Sequence, residues 1–150
     1  MKEIVYLDTS AIVKRYVDDP GSEFVRSLYR KAYTGEIKLA SSIWNVGEML
    51  GVLDKAYAVG RINGGDHVAA RRRFLNELNR QTRFGTLTII HLRVSILINS
   101  WQLIEKHHIY QADALQITSA KYVSADQIVV ADKKLYDVAL REGLKAVYVG

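Results

Sequence analysis

The chain has 150 residues, 49% of them hydrophobic, and a formal net charge of +5. This length suits one folded domain over residues 1–150, and the excess of lysine and arginine suits a polyanionic partner. The absence of cysteine excludes disulfides and thiolate metal sites. No apolar run approaches the roughly 20 residues that span a bilayer, so we expect a cytoplasmic protein that makes no membrane contact.

The first predicted element is a short strand that ends in an acid. Residues 4–7 are apolar, which indicates a strand buried on both faces, and Asp8 follows at once. An acid at this position lies at the carboxyl edge of any parallel sheet that the strand joins, and ligands bind at that edge in open α/β sheets. Asp8 is either a site residue or only the N-cap of a helix over 10–17. Thr9 and Ser10 either cap the same helix or hydrogen-bond the carboxylate.

A helix and a strand come next, before the second candidate acid. Asp19 as N-cap and Pro20 at the first helical position predict a helix that Gly35 closes. Residues 37–41 then form a second strand candidate, and its end leads directly into another helix over 43–58.

The helix predicted over 43–58 carries an isolated acid. Glu48 points nearly opposite to an apolar stripe that consists of Ile43, Val46, Leu50, Leu53 and Tyr57. Between residues 43 and 53 only Asn45 and Glu48 are strongly polar, and they share a face because they are three residues apart. A solvated face has alternating charges, which this face lacks, so Glu48 is the second site candidate.

A basic segment occupies the middle of the chain. A loop over 60–65 leads into a helix that runs to about Arg80, with Asp66 as its cap. Arg71 and Arg72 lie near the centre of this helix. The ordinary interpretation is a solvated amphipathic helix, and the functional one is a surface that contacts phosphates or a partner protein.

The last third of the chain adds two more acids at element boundaries. Asp113 lies at the start of a helix that continues to Tyr122, where a first-turn acid is favourable, and Asp132 directly follows a buried strand over 128–131. The remaining predicted elements are a strand over 87–90, helices over 94–107 and 133–142, and a strand over 145–149. The order β-α-α-β-α-α-β-α-α-β-α-β implies a three-layer α/β/α fold, in which helices cover a central parallel sheet of four to five strands.

The acids raise an electrostatic problem. Asp8 and Asp132 follow strands of one parallel sheet, so they lie at the same edge, where like charges raise each other's pKa unless a cation separates them. Mg²⁺ or Mn²⁺ takes oxygen ligands and binds together with substrate phosphates, and such a centre supports metal-assisted hydrolysis. Basic residues that follow the strand-end acids would hold a nucleic-acid backbone; they are Lys14, Arg15, Lys133 and Lys134.

The acidic motifs resemble those of the PIN-domain ribonucleases over nearly the whole chain. The matching stretches are Asp8-Thr9-Ser10-Ala11, a Ser-Ser-Ile-Trp-Asn-Val-Gly-Glu-Met-Leu segment that contains Glu48, Ala112-Asp113-Ala114-Leu115, and Val130-Ala131-Asp132-Lys133-Lys134-Leu135. A short, basic, lone PIN domain is similar to the VapC-type toxins of toxin–antitoxin pairs. The order and spacing of the motifs carry the resemblance, since each motif alone is short.

The resemblance implies an endoribonuclease with a metal cofactor. It implies an acidic pocket in which Asp8, Asp113 and Asp132 hold Mg²⁺ or Mn²⁺ directly or through water, while Glu48 assists with the metal or with the nucleophilic water. The implied reaction is the hydrolysis of RNA phosphodiester bonds. The resemblance also implies a homodimer and a small antitoxin that blocks the acidic cleft.

Two other classes of function remain open on the residues alone. A phosphotransfer enzyme with a nucleophilic aspartate commonly has a second acid two positions on. Here that position is Ser10, which weighs against this class. A non-catalytic RNA- or protein-binding PIN-like module would use the same acids only as helix caps. The four histidines have no ligand-like spacing, so they predict neither a zinc site nor a catalytic dyad.

Overall fold

The computed structural model describes residues 1–150 and contains five strands and seven helices. The strands are β1 (Glu3–Leu7), β2 (Ile37–Ser42), β3 (Leu87–Ile90), β4 (Gln127–Val130) and β5 (Ala146–Tyr148). The helices are α1 (Thr9–Tyr16), α2 (Ser22–Tyr33), α3 (Trp44–Ala58), α4 (Gly64–Phe84), α5 (Val94–His107), α6 (Gln111–Tyr122) and α7 (Lys133–Arg141). Their order along the chain is the predicted one. None of the helices is both long enough and apolar enough to span a bilayer.

One parallel sheet forms the middle layer, with the strand order β3-β2-β1-β4-β5. β1 is central, pairs with both β2 and β4, and places Leu7 at its end level with Val129 of β4. The chain builds one half of the sheet outward from β1 and then returns to the other side of β1 with β4. The carboxyl ends of β1 and β4 are therefore neighbours at the point where the strand order reverses, which is where open α/β sheets bind ligands.

Helices cover both faces of the sheet, so the predicted three-layer α/β/α fold is confirmed. Side chains alternate along β1, with Val5 and Leu7 in one core and Tyr6 in the other. Helices α1 to α4 pack over the first core and α5 to α7 over the second. These β1 side chains are at most 1% exposed, as expected for a strand that is buried on both faces.

Helix α2 begins two residues later than predicted. Its N-cap is Gly21, whose φ of 88° lies in the left-handed region. A Cβ atom at this position would lie 2.1 Å from the carbonyl oxygen of Val149, so only glycine fits. Pro20 therefore lies in the turn before the helix instead of in its first turn.

Helix α3 turns to the core a face that overlaps only partly with the predicted stripe. Leu53 of the stripe is buried together with Asn45 and Met49, and Val46 and Leu50 pack against the core, whereas Ile43 and Tyr57 are 45% and 47% exposed. The amide of Asn45 is hydrogen-bonded within the protein at both its oxygen and its nitrogen, which offsets the cost of burying it. A prediction from hydrophobic periodicity places only apolar residues on the buried face. It therefore missed Asn45 and put the centre of the buried face at the wrong angle around the helix.

Helix α4 starts earlier than predicted, at Gly64. Its N-cap is Asn63 and not Asp66. Asn63 Oδ1 accepts a hydrogen bond from the Asp66 backbone N–H at 2.7 Å. The inner face of α4 buries Glu77 and Gln81 beside an apolar residue. This helix is therefore attached to the core partly through polar contacts.

Candidate active site

Asp8 lies at the carboxyl end of the central strand, where it caps α1 and still keeps one oxygen free. Its Oδ1 accepts hydrogen bonds from the Ser10 hydroxyl at 2.7 Å and from the Ala11 backbone N–H at 3.2 Å. Its Oδ2 forms no hydrogen bond within the protein. Capping and a site role were alternatives in the sequence, and the geometry allows both at once.

Burial makes a negative charge on Asp8 unfavourable. The residue is 5% exposed, and burial raises its pKa from the ordinary value of 3.8 to about 7, despite the hydrogen bonds from Ser10 and Ala11 that lower it. The charge of Asp132 raises the pKa further. Without a cation nearby, ionisation of Asp8 is therefore unfavourable up to about neutral pH.

Asp132 and Asp113 approach the same edge of the sheet from α7 and α6. Asp132 is the N-cap of α7, and its Oδ1 accepts a hydrogen bond from the Leu135 backbone N–H at 3.2 Å. Asp113 lies in the first turn of α6. Burial raises the pKa of Asp113, the charges of Asp132 and Glu48 raise it further, and Lys134 lowers it. These carboxylates therefore lie within electrostatic reach of one another.

Glu48 is tied to the end of the central strand through the hydroxyl of Thr9. Thr9 Oγ1 donates a hydrogen bond to Glu48 Oε1 at 2.8 Å. Ser10, which donates to Asp8, accepts a hydrogen bond from the Ala131 backbone N–H at 2.8 Å. Two consecutive hydroxyls thus each fix one oxygen of a carboxylate, and the second oxygen of each carboxylate has no hydrogen-bond partner within the protein.

The donor set fits a divalent cation that keeps part of its water shell. No three of the histidine, aspartate and glutamate side chains are close enough to hold an ion by themselves. Mg²⁺ keeps several waters and binds through one or two carboxylates together with substrate phosphates, and Mn²⁺ takes similar oxygen ligands. A cation among the four candidate carboxylates would offset the negative charges that raise the pKa of Asp8 and Asp113; these carboxylates are Asp8, Glu48, Asp113 and Asp132.

Three of the four basic residues next to the acids pair with carboxylates, Lys133 only loosely, with its Nζ 3.5 Å from Asp137 Oδ1. Arg15 donates to both carboxylate oxygens of Glu77, at 3.0 and 2.9 Å. Lys14 is buried, and its Nζ lies 2.8 Å from Asp19 Oδ2. An RNA phosphate would have to displace these carboxylates, so we leave Lys14 and Arg15 out of the RNA contacts proposed below.

The other four basic candidates are exposed. The charge of Lys134 lowers the pKa of Asp113, and its Nζ donates a hydrogen bond to the His108 backbone carbonyl at 3.2 Å. Lys133 packs over two tyrosine rings, 4.6 and 5.5 Å from their centroids. Arg71 and Arg72 lie on the exposed side of α4 and form no ion pair. Lys134 is thus the cation that the fold places beside the carboxylates.

Two buried amides beside the acids were absent from the predicted site. Asn45 precedes Glu48 by three residues and Gln116 follows Asp113 by three, and they are 1% and 3% exposed. Gln116 Nε2 donates a hydrogen bond to Asn45 Oδ1 at 2.5 Å. The available sequence signal is an uncharged polar residue one helical turn from a candidate acid, within an otherwise apolar stretch.

Comparison with protein families gives one clear match. The family model of the PIN domain matches residues 5–140, which include all four candidate acids. The sequence matches none of the curated proteins compared with it.

Several solved structures share this fold at low sequence identity. The toxin VapC20 of Mycobacterium tuberculosis, which cleaves the sarcin–ricin loop, is 14% identical, with 87% of this chain and 92% of that chain covered and a TM-score of 0.61. VapBC2 from Rickettsia felis, bound to a DNA fragment from its promoter, is 18% identical, with 98% and 99% covered and a TM-score of 0.66. A toxin–antitoxin complex from Klebsiella pneumoniae is 14% identical, with 88% and 89% covered and a TM-score of 0.56. At these identities the likeness concerns the fold.

Proposed function

The chain belongs to the PIN domain family, and on that premise we propose that residues 1–150 form a single PIN domain that acts as a Mg²⁺- or Mn²⁺-dependent endoribonuclease. The observation that carries this proposal is Asp8, a buried carboxylate at the end of the central strand whose pKa burial raises to about 7. A cation beside Asp8 offsets the unfavourable charge. The cleavage of the sarcin–ricin loop by VapC20, which has a similar fold, supports a nucleolytic reaction.

The proposed reaction is the hydrolysis of an RNA phosphodiester bond. Asp8, Asp113 and Asp132 would hold the cation directly or through water. Glu48 would assist with the cation or with the attacking water. When bound, the cation lowers the pKa of a bound water and stabilises charge on the phosphoryl oxygens. Thr9 and Ser10 each engage one oxygen of a carboxylate, and the other oxygen of each remains available to the ion or the water.

RNA cleavage is expected to stop when divalent ions are chelated and to return with Mg²⁺ or Mn²⁺. Glu48→Gln is expected to lower the cleavage rate about 100-fold, because an amide cannot accept a proton from the attacking water. The substrate is a single-stranded RNA library of randomised sequence, and sequencing of the cut ends reports any preference. Asp54→Asn is the matched control, because Asp54 is an exposed acid on the same helix, and it is expected to cleave at the wild-type rate.

The same experiment separates the nuclease from a non-catalytic module. RNA binding without cleavage in chelator, Mg²⁺ and Mn²⁺ alike would favour the non-catalytic module. Cleavage by Glu48→Gln at the wild-type rate would remove Glu48 from the reaction while leaving the nuclease proposal in place.

Charge reversal at Arg71 or Arg72 is expected to weaken RNA binding about tenfold and to leave Mn²⁺ affinity unchanged. Each lost phosphate contact also lowers the slope of log affinity against log salt by about 1. RNA binding is measured in an Asp8→Asn background, which keeps the RNA intact, and Mn²⁺ affinity is measured with Asp8 present. Arg141→Glu is the control, because Arg141 is exposed at the far end of α7. Unchanged RNA affinities and salt slopes would indicate that Arg71 and Arg72 only form part of a solvated helix surface.

We also propose that an antitoxin binds an apolar groove beside α1. The groove lies between α1, α3 and α4, has a volume of about 390 Å³, and is lined mainly by apolar side chains that include Val17, Val52, Ala56, Ile62 and Ala69. The toxin–antitoxin complex from Klebsiella pneumoniae, which has a similar fold, supports a partner of this kind. Co-expression with the product of the neighbouring reading frame tests the proposal, and cell fractionation tests a cytoplasmic location for the pair. A neighbour that neither binds the chain nor inhibits cleavage would contradict it.

A second copy of the chain is the other partner that we propose. Along α5, Val94, Ile98 and Trp101 are 72%, 49% and 55% exposed. Their spacing puts them on one face of the helix, and an exposed apolar face of this kind marks an interface. A homodimer would cover this face. Sedimentation equilibrium that shows only monomers at every concentration tested would contradict the dimer.

A further inference from the structure

A closed ring of buried hydrogen bonds joins β1, α3 and α6. Each of these elements carries a candidate carboxylate or is directly followed by one. The Tyr6 hydroxyl on β1 donates to Gln116 Oε1 on α6 at 2.6 Å. Gln116 Nε2 donates to Asn45 Oδ1 on α3 at 2.5 Å. Asn45 Nδ2 donates to the Leu7 carbonyl at 3.2 Å, which brings the ring back to β1. We call these four residues the amide ring.

Each element of the amide ring carries or directly precedes a candidate carboxylate that lies within three residues of a ring member. One helical turn separates Asn45 from Glu48 and Gln116 from Asp113, and the ring closes on the residue before Asp8. Any sliding of α3 against α6 that separates Glu48 from Asp113 must therefore break the hydrogen bond between the two amides. The ring thus links the spacing of the carboxylates to a directional contact.

The amide ring is sealed from water. Tyr6, Asn45 and Gln116 are 0%, 1% and 3% exposed. A buried amide that loses its partner is costly, whereas apolar contacts are non-directional and permit small shifts. The ring therefore favours one relative position of the two helices.

We propose that Asn45 and Gln116 are positioning residues that fix the distance between Glu48 and Asp113 for the divalent cation, an inference that rests on the proposed function. Neither amide touches the ion or the RNA in this role. They act through the two helices that they join. Their removal therefore affects metal binding and turnover more than it affects the binding of RNA.

Gln116→Met tests the proposal, because methionine has a similar length and removes both side-chain hydrogen bonds. Its Mn²⁺ affinity, measured by electron paramagnetic resonance, is expected to fall about tenfold. Its kcat is expected to fall between about 10-fold and 100-fold with little change in KM for RNA. Tyr6→Phe removes one hydrogen bond of the ring and is expected to give a smaller loss of the same kind. The exchange variant Asn45→Gln/Gln116→Asn restores an amide pair of the same total length and is expected to recover part of the Mn²⁺ affinity.

Leu28→Ala is the control for a general loss of stability. Leu28 is a buried residue of α2, a helix that carries no ring member and no candidate acid. Mn²⁺ affinity and kcat at wild-type level in Gln116→Met and Tyr6→Phe would overturn the proposal, as would losses no larger than those of Leu28→Ala at an equal drop in Tm. A wild-type protein that neither binds Mn²⁺ nor cleaves RNA would overturn the proposed function itself. A wild-type protein that binds Mn²⁺ without cleaving RNA still tests the ring through the comparison of affinities.

Discussion

Asp8→Asn is expected to abolish RNA cleavage while leaving the fold intact. The amide oxygen can still accept the hydrogen bonds that Ser10 and the Ala11 backbone N–H donate to the carboxylate, so the cap of α1 survives. The charge that holds the cation is lost. Since a bound cation contributes several kcal/mol of charge stabilisation in the transition state, the rate is expected to fall by about 1,000-fold or more.

The same substitution is expected to stabilise the metal-free protein near neutral pH. The pKa of Asp8 is about 7 in the folded state, compared with an ordinary value of 3.8. Between these two values the folded state holds more protons than the unfolded state, so the wild-type free energy of unfolding falls as the pH rises. This loss amounts to about 4 kcal/mol, is absent below about pH 4 and is complete above about pH 7. Asparagine does not titrate, so the free energy of unfolding of the variant does not undergo this fall as the pH rises.

Urea unfolding of the metal-free proteins between about pH 4 and pH 9 measures this difference. The stability advantage of Asp8→Asn is expected to grow with pH. It is expected to shrink or reverse when Mn²⁺ is added, because an ion that binds only the folded wild-type protein stabilises it. Asp54→Asn is the control and is expected to follow the wild-type curve. Wild-type cleavage by Asp8→Asn, or a stability difference that does not vary with pH, would contradict the role given to Asp8.

The order of the elements was predictable because buried parallel strands and amphipathic helices leave strong periodic signals in the sequence. Strand β3 has its predicted bounds, Leu87–Ile90, because a glycine-containing turn precedes a short run rich in β-branched residues. The start of α2 was not predictable. It depends on the left-handed φ of Gly21 and on the close approach of Val149, a residue at the other end of the chain. Errors therefore fall where a distant contact decides a local conformation.

The same distinction applies to the candidate site. The neighbouring positions of Asp8 and Asp132 follow from topology, because both come after buried strands whose carboxyl ends meet at one edge. Arg15 marks the limit of this reasoning. It follows Asp8 closely and was a predicted RNA contact, but it pairs with Glu77, 62 residues further along the chain. Likewise, the polarity of Asn45 was visible in the sequence, while its partner across the core was not.

Glu77 fastens α4 to α1, the helix that follows the central strand. Its side chain is 4% exposed and accepts two hydrogen bonds from the Arg15 guanidinium. It also accepts hydrogen bonds from the hydroxyls of Tyr16 at 2.7 Å and Tyr33 at 2.8 Å. The charge of Glu77 is therefore balanced by a bidentate ion pair with Arg15, by the guanidinium of Arg80 at 3.6 Å, and by two neutral donors.

Glu77→Leu is expected to lower the free energy of unfolding by about 3 kcal/mol, because it leaves a partly buried guanidinium without its partner. This value is at the lower end of the range for buried pairs, since the Arg15 side chain is 20% exposed and stays partly hydrated. The double variant Arg15→Met/Glu77→Leu is expected to recover much of the loss, because apolar groups then replace both members of the pair. A double variant that is less stable than Glu77→Leu would contradict this account.

Glu77 also gives a pH dependence of opposite sign to that of Asp8. Burial by itself raises the pKa of Glu77, but hydrogen bonds from Arg15, Tyr16 and Tyr33 outweigh burial and lower the pKa from 4.5 to about 2. Between these values the unfolded state holds more protons, so the contribution of Glu77 to stability is present above about pH 4.5 and is lost as the pH falls toward 2. Urea unfolding is therefore expected to separate wild type from Glu77→Leu most clearly above about pH 5, with convergence toward pH 2. A difference that stays constant down to about pH 2 would show that the charge of Glu77 is not what holds α4 in place.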